Sequence, residues 1–199
     1  MKITIPAIPF KAVALAQSKE KTHYYLRGVF VEKQSLVATD GHILLKYDTE
    51  NSIGDHEPFI MSVDTSDKAF KAKSRQNNHT LMMFADTETL IIEFFFVDLD
   101  NQKVGKRVGV CGFEIVDGTF PDYNRVIPDH KNSSGLAHFA FDARKIETFR
   151  KASELVSTDK GFALVLTFGE SASEPCIIHM GDSTTPMSGV LMPLISAWR

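Results

Sequence analysis

The sequence predicts an α+β fold in which antiparallel sheets carry helices on one face. Three observations predict it. Short runs rich in aromatic and β-branched residues dominate the chain. One succession, a strand, a helix and then several strands, occurs three times. Turn-forming residues separate consecutive strand-like runs, as in hairpins.

In the first copy "MKITIP" alternates as a short strand, and residues 8–21 ("IPFKAVALAQSKEK") read as a helix with Pro9 tolerated near its start. "HYYLRGVFVEK" and "SLVATDGHILLKYD" follow as strands. Asp40-Gly41 marks a hairpin, because a primed turn needs the positive φ that Asp and Gly tolerate, and His42 then begins the returning strand. The second copy runs from "PFIMSVD" through a helix at 66–75, opened by a Thr/Ser/Asp cap cluster. "HTLMMFAD" and "TLIIEFFFVDL" then flank an Asp-Thr-Glu-Thr turn, and "KRVGVCGFEIVDG" supplies a last strand. "TFPDYNRVIPDHKNSSG" has the Pro, Asn, Ser and Gly content of a linker. The third copy comprises "LAHFAFD", a helix at 143–156, then "FALVLTFGE", "PCIIHMGD" and "SGVLMPLIS". Ile146, Phe149, Ala152, Ser153 and Val156 fall on one side of that helix.

With 199 residues, 43% apolar and 24% charged, the composition is that of a globular chain with one sizeable core or two small ones. No apolar run is long enough for a membrane span and no signal peptide opens the chain, so a cytoplasmic protein without membrane partners is expected. Cys111 and Cys176 lack CxxC spacing, which fits a reducing compartment and argues against a thiolate zinc site.

The net charge of -3 conceals a segregation. The three predicted helices hold eleven Lys/Arg against four Asp/Glu; the remaining segments hold eleven against twenty-one. Lys68, Lys71 and Arg75 share one helix face, Arg144, Arg150 and Lys151 lie off the apolar stripe of the third helix, and Lys11 gives the first a weaker version. Solvated helix faces are often Lys-rich. Three helices biased alike point instead to one surface presenting cations to phosphates, a contact that carries no sequence information.

Nothing in the sequence asks for catalysis. The seven histidines have no HExxH or His-x-His spacing, and no nucleophile elbow, Walker loop or dinucleotide fingerprint occurs. Asp98 and Asp100 sit in a polar turn, where solvation accounts for them. No cofactor and no metal are expected.

"YYLRGVFVE", "LVATDGHILL", "GTFPDYNRVIP" and "GVLMPL", in this order, resemble the bacterial DNA sliding clamp, the β subunit of DNA polymerase III. The resemblance implies that residues 1–128 correspond to the middle clamp domain of two modules. It makes 129–135 a linker and 136–199 the second half of the last domain, with no counterpart to the rest. Clamps form rings of twelve such modules around duplex DNA, helices inward, and capture short peptides of polymerases and repair proteins in an apolar pocket. The positions here that match the pocket are Leu26, Thr39, Gly41, His42, Leu44, Pro121, Arg125, Val126, Val190, Met192, Pro193 and Leu194. The DNA-facing cations would be Lys11, Lys68, Lys71, Arg75, Arg144, Arg150 and Lys151. Ile43 and Asn124 replace arginines common in the family, and "ISAWR" extends its short tail. The resemblance thus implies a non-enzymatic processivity factor whose partners are double-stranded DNA, a polymerase or other peptide-bearing protein, a clamp loader and further copies of itself. The rival expectation is a ringless peptide-binding module that competes for or recruits clamp partners.

Overall fold

The computed structural model describes residues 1–49, 51–71, 79–98, 100–101, 103–127, 140–157, 164–169, 171, 173–180 and 187–194, with the backbone alone at Lys71. The first module consists of β1 (Lys2–Pro6), α1 (Ala7–Val13), β2 (Val29–Val31), β3 (Ser35–Thr39) and β4 (Ile43–Asp48). The second contributes β5 (Phe59–Ser62), a 3-10 turn at Lys68–Lys71, β6 (His79–Asp86), β7 (Ile91–Asp98), β8 (Val104–Gly112) and the short β9 (Glu114–Val116). After a 3-10 turn at Tyr123–Val126 come α2 (Ala143–Val156), β10 (Val165–Thr167), β11 (Cys176–Met180) and β12 (Met187–Leu191). This is an α+β fold with antiparallel sheets.

Local chemistry explains where elements depart from the sequence expectation. The first helix passes into a 3-10 turn at Ala14–Ala16 and stops there rather than at residue 21. Beyond it the Ser18 N–H donates to the Leu26 carbonyl at 2.8 Å, and the Ser18 hydroxyl accepts from the Glu20 N–H at 3.1 Å. Those local bonds replace a helical ladder. Tyr24–Leu26, expected as strand, closes a 3-10 turn through the Leu26 N–H and the His23 carbonyl. Of the helix expected at 66–75, Lys68–Lys71 forms a 3-10 turn, its start fixed by Asp67 accepting from the Ala69 N–H at 2.8 Å; residues 72–78 lie outside the described residues. The third helix has the predicted bounds, and the Asp142 side chain caps it by accepting from the Arg144 N–H.

Two pairing rules organise the strands into one sheet of four, β1-β6-β7-β8, and one of eight, β10-β11-β12-β4-β3-β2-β5-β9. The strand that opens each of the first two modules pairs with the first strand after the other module's helical segment, β1 with β6 and β5 with β2. The last strand of the first module, β4, pairs antiparallel with the last strand of the third, β12, from Met187↔Tyr47 to Leu191↔Ile43.

Strand alternation then sorts side chains to two faces. Leu36, Ala38, Ile43, Leu45, Met187 and Leu191 point to the helix side, where α1 and α2 pack on each other and on the sheet. There they share one core with Ile3, Ile5, Phe10, Leu81, Met83, Phe94 and Phe149, so all three modules enclose the same apolar interior. Val37, Leu44 and Val190 point outward and meet Phe120 and Tyr123 in a second cluster. The segment that reads as linker by composition is thus partly a packed strap. Phe30 stacks on Phe120 with ring centroids 4.7 Å apart, and the buried Tyr123 donates to Glu32 at 2.6 Å. Residues 128–139, including the whole of the expected linker 129–135, lie outside the described residues.

Gly189 marks the tightest point of the seam between modules. A Cβ there would collide with the Phe149 ring and lie 2.7 Å from the Leu44 carbonyl oxygen. Backbone on one side and a fully buried ring on the other leave little room to yield. Gly189→Ala is expected to lower unfolding stability by about 3 kcal/mol, measured by denaturant titration.

Candidate functional site

The hairpin between β3 and β4 is built by side chains. Positive φ falls on Gly41 at 89°, while Asp40 has none. The central pair of the turn is therefore Gly41-His42, not Asp40-Gly41, and His42 sits in the turn rather than in the returning strand. Asp40 closes it: its Oδ1 accepts from the His42 N–H at 2.9 Å and the Ile43 N–H at 3.0 Å. The Thr39 hydroxyl donates to the Ile43 carbonyl at 2.6 Å and accepts from the Gly41 N–H at 3.0 Å. The remaining carboxylate oxygen of Asp40 receives the Lys145 ammonium of α2, which ties this turn to the third module.

Beside that turn lies a cleft of about 190 Å³. Thr39, Gly41, His42 and Leu44 form one wall, and Leu26 adds its side chain from the 3-10 turn. The strap contributes Pro121 and Val126, and β12 with its continuation contributes Val190 and Met192. Leu44 and Val190 are register partners across the seam, and the Met192 N–H donates to the His42 carbonyl at 3.1 Å, so the pairing itself sets the spacing of the residues that the two strands bring to the cleft. Val126 and Met192, from the strap and from beyond β12, line the cleft while remaining 42% and 39% exposed.

Nine of the twelve residues expected at a peptide pocket line this cleft. Arg125 does not; its Nε donates to Asp122 at 2.9 Å and the side chain points to solvent. Leu194 bridges to Ala140, its N–H donating to that carbonyl at 2.7 Å, and Pro193 connects it to the cleft residue Met192. Sequence reasoning missed Ile43, Asp122 and Tyr123, which also line it. Asp122 and Tyr123 stand inside the quoted "FPDY" block, and Ile43 inside "DGHIL", so the signal was present. Burial and the hydrogen bond to Glu32 raise the Tyr123 phenol to about 12, so it stays a protonated donor and holds the strap.

The expected cations are distributed less uniformly than their sequence positions imply. Lys11 donates to the Phe70 carbonyl at 3.3 Å, which joins α1 to the neighbouring 3-10 turn. Arg150 is gripped by Glu147 and Glu154, Lys151 approaches Glu147 at 3.7 Å, and Arg144 pairs with Asp142. Lys68 is exposed; the Lys71 side chain and all of Arg75 lie outside what is described. Among the described residues no group of His, Cys, Asp and Glu could hold a metal ion, and Asp98 serves its turn by accepting from the Asp100 and Asn101 N–H groups.

Burial pushes the Asp40 carboxyl up, but Lys145 and the two backbone N–H groups outweigh it and hold the group below its ordinary 3.8. A depressed folded value means the contribution is complete above the unfolded value and disappears as pH falls through the folded one. The stability gap between the protein and Asp40→Asn should therefore be constant from neutral pH down to about pH 5 and narrow as pH falls through and below the ordinary carboxylate value, read from denaturant midpoints at each pH.

No protein-family profile and no curated protein sequence matches the chain. Solved structures do. A sliding clamp (DNA polymerase III subunit beta) from Bartonella birtlesii, bound to griselimycin, superposes with a TM-score of 0.55 at 21% identity, covering 98% of this chain and 66% of that one. The β subunit from Caulobacter crescentus gives 0.54 at 18% identity over 98% of this chain and 66% of its own. The sliding clamp of Pseudomonas aeruginosa gives 0.53 at 15% over 98% and 67%. The chain thus spans about two thirds of each of these clamps. The strand-helix-strand modules, their antiparallel sheets and their common helix side together have the fold of the bacterial DNA sliding clamp.

Proposed function

We propose that this chain is a clamp-like processivity module without catalytic activity. The cleft at the β4–β12 seam takes a short linear peptide from a polymerase or repair partner, and the helix side faces duplex DNA. The observation that carries the reading is the cleft itself, where residues from four separate sequence blocks converge on one apolar recess. Residues 1–128 act as a two-module domain and 136–199 as a half domain docked on it. Three modules per chain would complete a ring of twelve with about four chains.

Burying one Leu or Phe anchor contributes about 1.5–3 kcal/mol, so two anchors with backbone hydrogen bonds give a micromolar, exchangeable partner. Exchange suits a docking site shared by several proteins. A fluorescent peptide carrying two apolar anchors is expected to bind in that range, and His42→Ala with Met192→Ala to weaken it about tenfold. Both side chains are exposed, so the fold should persist; unchanged affinity would place the peptide elsewhere.

A second reading is favoured by the ion pairs along α2, which neutralise much of its positive face. On it, the chain binds peptides and competes for clamp partners without enclosing DNA. Retention on circular duplex DNA that is lost on linearisation supports enclosure. Binding that is salt-sensitive but indifferent to topology indicates phosphate contact alone. Peptide capture with no DNA retention selects the competitor.

A further inference from the structure

The cleft carries charge of one sign. Among the described residues its lining includes a single carboxylate, that of Asp122, and neither lysine nor arginine. Two cations neighbour its walls, and both are engaged by carboxylates. Lys145 meets Asp40, and Arg125, itself 83% exposed, reaches Asp122 without lining the cleft. Arg27 follows Leu26 in sequence but does not line the cleft either. Glu32 and Asp48 add to the same sign at the strap, since both act on the Tyr123 hydroxyl and help to hold its proton.

Asp122 differs from the other turn-forming aspartates in that the fold does not use its carboxylate. Asp40, Asp64, Asp67, Asp86, Asp98 and Asp142 each accept the backbone N–H two residues further on, and so build the turns they open. Asp122 precedes the 3-10 turn at Tyr123–Val126 in the same way, yet its side chain makes no capping bond. The strap is held instead by the Phe120 ring on Phe30 and the Tyr123 hydroxyl on Glu32. Among the described residues only Arg125 bonds the Asp122 carboxylate, its Nε donating to Oδ2 at 2.9 Å. The group is 53% exposed, and a carboxylate accepts on both oxygens, so a second cation can join without displacing the first.

We infer that the cleft selects peptides whose apolar anchors are flanked by lysine or arginine, and that Asp122 is the residue that reads this charge. The inference rests on the peptide reading of the cleft and names the class of peptide. An apolar anchor enters the recess, and a cation beside it reaches Asp122, which the strap fixes between the cleft residues Pro121 and Tyr123. An acidic flank would instead meet Asp122, with Glu32 and Asp48 behind it, and no lysine or arginine of the lining to answer it. The contact is open to solvent, so its energy is small. Its effect falls on the choice between peptides and on their association rate, while the apolar anchors supply most of the affinity.

Three fluorescent peptides with the same two apolar anchors, flanked by lysine, glutamine or glutamate, should bind the full chain in that order of affinity. At low salt the lysine peptide should bind about fivefold more tightly than the glutamate one, and the gap should narrow as added salt screens it. Asp122→Asn should bring the three within about twofold of one another, with circular dichroism unchanged because the carboxylate makes no capping bond. Arg125→Ala should widen the gap, since it removes the cation that shares the same carboxylate. Equal affinities in the unmodified protein, a lysine preference that survives Asp122→Asn, or a glutamate preference that Arg125→Ala abolishes each overturn the inference and leave the peptide reading standing. No binding by any of the three peptides overturns the peptide reading, and the inference with it.

Discussion

The antiparallel pairing of β4 with β12 is the constraint on which the cleft depends. It places Leu44 beside Val190, brings the Met192 N–H to the His42 carbonyl, and lets Phe149 descend onto Gly189. A one-residue slip would exchange the two faces, sending Leu44 and Val190 into the helix-side core and Ile43, Leu45 and Leu191 outward. Register is therefore fixed from both sides at once, by the core beneath and by the strap above. The cleft inherits its width from that register and not from any loop of its own.

Polar groups divide by what surrounds them. Asp40 and Lys145 are 20% and 25% exposed at their side chains, and their pairing specifies how α2 meets the hairpin more than it adds stability, since desolvation offsets much of the attraction. Tyr123 and Glu32 do the same for the strap. The ion pairs along α2 are open to solvent and contribute little to folding, about 0.2–1 kcal/mol each. Their larger effect is on the field of the helix side, where Glu147 and Glu154 answer Arg150 and Lys151 from within the same helix and the cap Asp142 answers Arg144.

Legibility followed the range of the forces involved. The helix at 143–156 was readable because its stripe, Phe149, Ala152, Ser153 and Val156, and its Asp142 cap are local. The first helix was overextended because Ser18 is drawn to Leu26, eight positions away, a contact no helical periodicity encodes. The strap looked like a linker because its composition is rich in turn formers, while two aromatic rings decide its position by burial. The cleft was approached through a resemblance of four blocks; periodicity alone yielded only a hairpin. The charge segregation was visible as a count, but the pairing of Arg150 between two glutamates depends on side-chain placement around a helix.

The two sides of the cleft come from different parts of the chain, and this has a thermodynamic meaning. Tyr123 anchors one wall to β2 and β3 of the first module, while Met192 carries the other from the third. A molecule held between them reaches its full contact area only while the third module stays docked. Occupancy and docking are therefore linked functions: each shifts the equilibrium of the other by the same free energy. A peptide bound there would, in that sense, latch the third module in place.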